Sequence, residues 1–482
     1  MFDLRPVCHV IGLLVTALGV SMLIPLLTDL IAGNGHWGAF AESAAITTMI
    51  GLLVTIASAN AETERLSIQQ TFLMTSGLWF VLPIFGAIPF VLGATEARFV
   101  DAFFEAMSGM TTTGSTVFTG LDTMPEGLLI WRGLLQWFGG IGIIVVAMAF
   151  LPELRVGGMQ IFRSEGFDTF GKILPRATEI ATSISVIYVA LTAAAALSYA
   201  AMGLDAFDAI VHAMTTIATG GFANYDASFG GLGAGVEYTG VVFMLLAALP
   251  FVRYVQLLAG SATPIWADSQ IRAFLVTVLV LSVGMAIYLN IFVGSTSELA
   301  IRKALFNTVS IVTGTGYASA DYNQWGPVAV TVLFLAGLIG GCAGSTSCSI
   351  KVFRYQLLFA SVSTQVRRLY APHGIFEPRY EGRPVADDVV SSVMAFFALF
   401  FVTLGVVSVL LALTGLDVIT AVSGAAAALA NIGPGLGPEI GPAGNFAGLN
   451  DPAKWILAFT MLIGRLELMA VFVLFTAAFW RA

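Results

Sequence analysis

Four glycines, Gly114, Gly221, Gly316 and Gly433, recur at intervals of about a hundred residues, and each closes a run of one pattern. Twelve positions before each stands an alanine (Ala102, Ala209, Ala304, Ala421). Eight before stands Ala106, Ala213, Thr308 or Ala425, and four before stands Met110, Ile217, Val312 or Leu429. Offsets of four, eight and twelve fall on one face of an α-helix, so each run reads as a helix whose small, apolar face packs on a neighbour. Directly ahead of the glycines come Thr112-Thr113, Thr219-Gly220, Gly314-Thr315 and Asn431-Ile432. A helix ending in a Thr- and Gly-rich turn, repeated four times in a hydrophobic chain, is what a ring of backbone carbonyls around a cation path requires. Glycine and threonine that merely allow close helix packing in a membrane would explain one such turn, but not four in register.

The setting is a lipid bilayer. Of the 482 residues, 57% are hydrophobic and only 10% charged, where soluble domains carry roughly 25% charged residues. Runs long enough to span a ~30 Å hydrocarbon core fall at about 8–31, 43–60, 70–94, 128–151, 178–202, 236–260, 271–294, 327–362 (interrupted), 388–413 and 454–479. The first is too long for a signal-peptide core and reads as a retained helix. The expected fold is an all-α integral membrane protein of ten spans, with both termini on one side. Residues 1–66 supply two extra N-terminal transmembrane helices. Four pseudo-symmetric span–pore helix–span repeats follow around a central pore, at 67–165, 166–262, 263–383 and 384–482, the third with an interrupted second helix.

Lysine and arginine orient the chain. With cytoplasmic termini, the inner side carries Arg5, Arg65, Arg155, Arg163, Lys172, Arg176, Arg253, Arg272, Lys351, Arg354, Arg367, Arg368, Arg379, Arg383 and Arg481. The outer side carries only Arg98, Arg302, Lys303 and Lys454. That bias predicts termini inside and puts the four glycines on the outer side. Asp122, Glu126, Asp226, Glu298, Asp321, Asp417, Glu439 and Asp451 lie around them, where they would concentrate cations at an outer mouth. Arg132 and Arg465 fall within hydrophobic runs. Arg132 lies near the outer end of its span and reads as snorkelling to the interface.

Other chemistries are disfavoured. Three dispersed cysteines (Cys8, Cys342, Cys348) and four scattered histidines form no disulfide framework or zinc pattern. A membrane enzyme would need a convergent cluster of His, Asp, Ser or Cys, and none stands at useful spacing. The chain has no nucleotide-binding fingerprint and no nucleic-acid signature, and nothing in it calls for a cofactor. Inverted repeats of a secondary transporter would not give four same-facing units of about a hundred residues. Whether flux is channel-like or coupled to H⁺ or Na⁺ stays open.

Six segments in order resemble the membrane subunit of a Trk/Ktr-type potassium uptake system: Thr111-Thr112-Thr113-Gly114-Ser115-Thr116, Ala218-Thr219-Gly220-Gly221-Phe222, Thr313-Gly314-Thr315-Gly316-Tyr317, Gly340-Gly341-Cys342-Ala343-Gly344-Ser345-Thr346, Asn431-Ile432-Gly433-Pro434-Gly435 and Gly464-Arg465-Leu466-Glu467. The two extra N-terminal helices are similar to the Trk branch. The resemblance implies K⁺ as the transported ion, held by Thr112, Thr113, Gly114, Thr219, Gly220, Gly221, Gly314, Thr315, Gly316, Asn431, Ile432 and Gly433. It also implies a bacterial inner-membrane location, pairing of two copies, and a separate cytosolic nucleotide-binding ring subunit of the Trk type.

Two further features lie outside the repeated turns. Arg465 sits mid-span, where a charge costs about 2.5–3.5 kcal/mol on insertion scales; the resemblance implies a positive barrier beneath the filter. The alternative is a structural salt bridge, although Glu467, two positions on, faces another side. Residues 340–349, made of Gly, Ser, Thr, Ala and Cys, cannot form a stiff helix, and irregular backbone survives at membrane depth only inside protein or against water. Gly340, Gly341, Gly344, Ser345 and Thr346, with Lys351 nearby, read as a movable loop obstructing the pore, or else as a static break. Ser347, Cys348 and Ser349 stand where relatives are richer in glycine.

Overall fold

A computed structural model describes residues 3–60, 66–149 and 177–481. The inner-side cations Arg65, Arg155, Arg163, Lys172 and Arg176, and the boundary between residues 165 and 166, lie outside the described residues. Among those described, the chain is mostly helical, and seven helices are long and apolar enough to cross a membrane. These are Arg5–Ala32, Trp37–Ala57, Ile68–Leu92, Glu126–Ile144, Ala181–Ala201, Ser269–Val293 and Asp387–Leu413. Several of them turn large apolar side chains outward: Ile56, Leu197, Leu279 and Leu413 are all more than half exposed, as lipid-facing surface must be when the backbone is satisfied within the helix.

The other three expected spans are each broken. Only 327–362 is expected to be interrupted, and it is, into Pro327–Gly337 and Val352–Tyr370. The run at 236–260 also divides, into Ala234–Ala247 and Phe251–Leu258, bent by 86°. Pro250 is the cause: it has no N–H to continue the ladder, and its ψ of 121° is extended. The run at 454–479 divides into Asp451–Arg465 and Met469–Phe475, bent by 106°, where Glu467 and Leu468 take positive φ of 62° and 33°. Hydropathy averages over such breaks, which is why the sequence reads them as continuous.

The N-terminal helices Arg5–Ser21 and Trp37–Ala57 lie close enough that a Cβ on Gly51 would stand 2.5 Å from the Thr16 amide nitrogen. Small residues at the contact replace the missing hydrophobic drive between helices in lipid. Beyond Tyr370, the connection to the helix Asp387–Leu413 contains a short hairpin that pairs Arg379–Tyr380 with Arg383–Pro384.

Four short helices end at the repeated glycines: Phe99–Met110, Ala206–Ile217, Ser297–Thr313 and Val418–Ala430. They are pore helices 1 to 4. All twelve residues of the repeated face, from Ala102 to Leu429, are at most 3% exposed. Asp205 and Asp417 cap the second and fourth by accepting backbone N–H bonds. Hydrogen bonds from Thr420 hold the exposed Asp417 carboxyl below its usual pKa.

Candidate functional site

Each pore helix ends in the same way. The amide of the residue before the glycine donates back five positions: Thr113 to Ser108 O (2.8 Å), Gly220 to Thr215 O (2.9 Å), Thr315 to Ser310 O (2.9 Å) and Ile432 to Ala427 O (3.0 Å). This is a Schellman closure, which needs a left-handed residue just before the donor. Thr112 (φ 51°), Thr219 (φ 49°), Gly314 (φ 75°) and Asn431 (φ 51°) supply it. For a β-branched threonine that region costs on the order of 1–3 kcal/mol, so strain is held twice in the same place. The glycine that follows is left-handed again, at 86°, 80°, 82° and 101°, while the residue between keeps negative φ. Alternating handedness turns successive carbonyls toward one side.

The four turns close into a ring. A Cβ on Gly114 would stand 2.3 Å from Gly220 O; on Gly221, 1.9 Å from Thr315 O; on Gly316, 1.8 Å from Ile432 O; and on Gly433, 2.9 Å from Thr113 O. Each glycine therefore abuts the carbonyl just ahead of the next repeat's glycine, in chain order, and the fourth returns to the first. No side chain fits at the first three positions. All twelve sequence-predicted filter residues sit in this ring or line it, and all four glycines face one cavity of about 200 Å³, with Ser115, Asp226 and Phe446 on its walls.

A second set of ties was not foreseen. After each glycine the chain runs extended, and the amide three residues on is held by a side chain of its own pore helix. Val117 N–H donates to Glu105 (2.9 Å), Asn224 N–H to His212 Nε2 (3.5 Å), Ser319 N–H to Asn307 Oδ1 (3.2 Å) and Leu436 N–H to Ser423 Oγ (2.9 Å). The first three sit nine positions before their glycine, the fourth ten. Glu105 also pairs with Arg132 at 2.8 Å, both at most 1% exposed. Arg132 therefore does not snorkel; it donates to Ala223 O (2.9 Å) and lies over the Phe222 ring, joining the first two repeats. A glutamate inside a pore helix and an arginine inside a span were the available signal.

On the other side of the ring, residues 340–349 cross beneath it. Ser347 Oγ donates to Thr313 O (2.7 Å) and accepts from Gly341 N–H (2.8 Å). Thr346 Oγ1 donates to Ala247 O (3.0 Å), Ser345 Oγ to Cys342 O (2.7 Å), and Phe251 N–H to Gly344 O (2.9 Å). A parallel bridge joins Ile339 to Ile350, with Gly340 N–H donating to Ile350 O at 2.8 Å. Lys351 Nζ donates to Ser347 O. Arg465 reaches the same segment through Cys348 Sγ (2.5 Å) and Thr346 O (3.4 Å), and donates to Gly139 O at 3.0 Å. Glu467 pairs instead with Arg354. Among the described residues Arg465 has no carboxylate partner, and its Nε has none at all. Cys348, Lys351, Asn431 and Arg465 share a cavity of only about 30 Å³.

The assembly is thus an uncharged carbonyl ring, a wide cavity on one face, and on the other a close-packed segment with a buried arginine that has no carboxylate partner among the described residues. The TrkH family, described as a cation transport protein, matches residues 38–482. This chain belongs to it. It is 42% identical over 478 residues to the Trk system potassium uptake protein TrkI of Halomonas elongata, covering 99% of this chain and 97% of that one. It is 37% identical to the Trk system potassium uptake protein TrkH of Escherichia coli, covering 99% of each. The crystal structure of the potassium transporter TrkH from Vibrio parahaemolyticus superposes with a TM-score of 0.91 at 34% identity, over 100% of both chains. The chain is accordingly an all-α membrane protein of a transporter family and not an enzyme.

Proposed function

We propose that this chain is the membrane subunit of a potassium uptake system, admitting K⁺ through the carbonyl ring at Gly114, Gly221, Gly316 and Gly433. The observation that carries the reading is the closure of that ring. Four carbonyls, from Thr113, Gly220, Thr315 and Ile432, meet four glycines in cyclic order. Neutral oxygens can replace a cation's hydration shell without holding it too tightly to leave. The pore helices add their partly negative C-terminal ends at the same place. The relatives' names, potassium uptake protein and potassium transporter, support K⁺ as the ion.

The lysine and arginine bias supports cytoplasmic termini in a bacterial inner membrane, with the wide cavity facing out. Segment 340–349 and Lys351 then form an inner gate, and Arg465 a positive barrier beneath the ring. Family membership supports a homodimer and a cytosolic nucleotide-binding ring subunit docking on the inner face. Rubidium uptake by proteoliposomes, with and without imposed H⁺ or Na⁺ gradients, tests the proposal. The expected result is uptake down a rubidium gradient that external K⁺ competes away. Absence of rubidium flux under every gradient would contradict it.

A further inference from the structure

Within the ring, the second turn is built differently from the others. In the first and third, the residue before the glycine is a threonine whose hydroxyl bonds the threonine two positions earlier: Thr113 to Thr111 and Thr315 to Thr313, both at 2.7 Å. In the fourth it is Ile432. In the second it is Gly220, and the space a side chain would fill holds the amide of Gln136, from the helix Glu126–Ala149 of the preceding repeat. A Cβ on Gly220 would stand 2.3 Å from Gln136 Cδ.

Gln136 is fully buried, and both ends of its amide are used on the filter. Its Nε2 donates to Gly220 O at 2.5 Å, and its Oε1 accepts from Phe222 N–H at 3.0 Å. The two bonds bracket Gly221. Gly220 O is also the carbonyl that Gly114 faces, so it belongs to the ring. Among the described residues the ring carbonyls of Thr113, Thr315 and Ile432 receive no comparable bond. One ring oxygen thus shares its lone pairs with an N–H donor, which fixes its direction and lowers its pull on a cation.

We infer that Gln136 is a positioning residue for the second filter turn and sets how well the ring separates K⁺ from Na⁺. The inference rests on reading the ring as a cation filter. A smaller, more strongly hydrated ion needs carbonyls that move inward. A carbonyl tethered from behind by a buried amide resists that movement, whereas a freed one yields to it. Gln136 also explains why the second turn carries Gly220 where the first and third carry threonine.

The test measures sodium and rubidium uptake by proteoliposomes for Gln136→Ala, Gln136→Glu, Gly220→Ala and the Gln136→Ala/Gly220→Ala pair, with Gly114→Ala beside them. The sodium-to-rubidium ratio is expected to rise on the order of tenfold in Gln136→Ala, a hydrogen bond's worth. It should rise at least as far in Gln136→Glu, which sets a carboxylate against Gly220 O but keeps the volume and the Phe222 acceptor. Should the alanine variant not fold, the glutamate variant carries the test. Gly220→Ala should lose uptake alone and regain it in the Gln136→Ala background, a rescue that a generally structural role would not give. If Gly114→Ala loses uptake or selectivity while both Gln136 variants keep the ratio within about twofold, the inference fails and the filter reading stands. If Gly114→Ala is also unchanged in rate and ratio, both fail.

Discussion

In the ring, each glycine abuts a backbone carbonyl of another repeat, and in three of the four an added Cβ would stand only 1.8 to 2.3 Å from it; in segment 340–349, immediately below, the ties include single bonds from small hydroxyls, a lysine and an arginine. The ring is fixed by backbone sterics, doubled left-handed turns, and ties to Glu105, His212, Asn307 and Ser423. The segment depends on Ser347 to Thr313 O, Thr346 to Ala247 O, Lys351 to Ser347 O and Arg465 to Cys348. Similar residue types therefore serve opposite ends. Glycines wedged against the backbone of the next repeat define a geometry, whereas hydroxyls and amines that each donate one bond to a carbonyl hold by contacts that can be exchanged.

The comparison breaks most sharply at the glycines. Gly316→Ala and Gly221→Ala, whose new Cβ atoms would meet carbonyl oxygens at 1.8 and 1.9 Å, should reduce rubidium uptake to background or admit Na⁺. Gly433→Ala, with 2.9 Å available, should be the mildest of the four. Equal effects at all four positions would show that the steric order of the ring does not govern flux.

Shortening segment 340–349 should act in the opposite direction, raising rubidium uptake several-fold and freeing it from any cytosolic partner. Unchanged, still partner-dependent uptake in a folded variant would place the gate elsewhere. Arg465→Ala tests the charge alone. A like charge within ~10 Å of a permeating cation, at an effective dielectric of ~20, repels it by roughly 1.7 kcal/mol. Its removal should raise flux on the order of tenfold, with little loss of stability because no carboxylate among the described residues is orphaned. A large fall in thermal stability at unchanged flux would instead mark a structural arginine. Ser347→Ala should have the smallest effect. It loses the bonds to Thr313 O and Gly341 N–H, worth about 1 kcal/mol each, and is expected to raise basal uptake a few-fold at unchanged K⁺/Na⁺ preference.

Much of this was legible in the sequence, for a physical reason. The Ala-rich face of each pore helix follows a period of 3.6 and stays buried, so Ala102, Ala209, Ala304 and Ala421 announce four equivalent helices. The glycines announce a backbone that must come close. Less legible was whatever depends on residues of different type doing one job. The ties to the extended segments are a glutamate, a histidine, an asparagine and a serine, and the serine is displaced by one position. Arg132 has its partner Glu105 in another element, and Glu467 turns to Arg354 only because the last span breaks at Leu468. Gln136 carried no signal, since an amide on an apolar helix is unremarkable until the carbonyl opposite it is known.

The most direct test of the central claim is rubidium uptake by proteoliposomes holding the wild-type chain or Gly316→Ala, at matched protein content, with K⁺ or Na⁺ as external competitor. The ring predicts uptake that K⁺ blocks and Na⁺ does not in the wild type. In the variant, uptake should be lost or its preference for K⁺ over Na⁺ abolished. A folded Gly316→Ala protein with the wild-type rate and the wild-type K⁺ preference would contradict the claim that these four glycines form the cation filter.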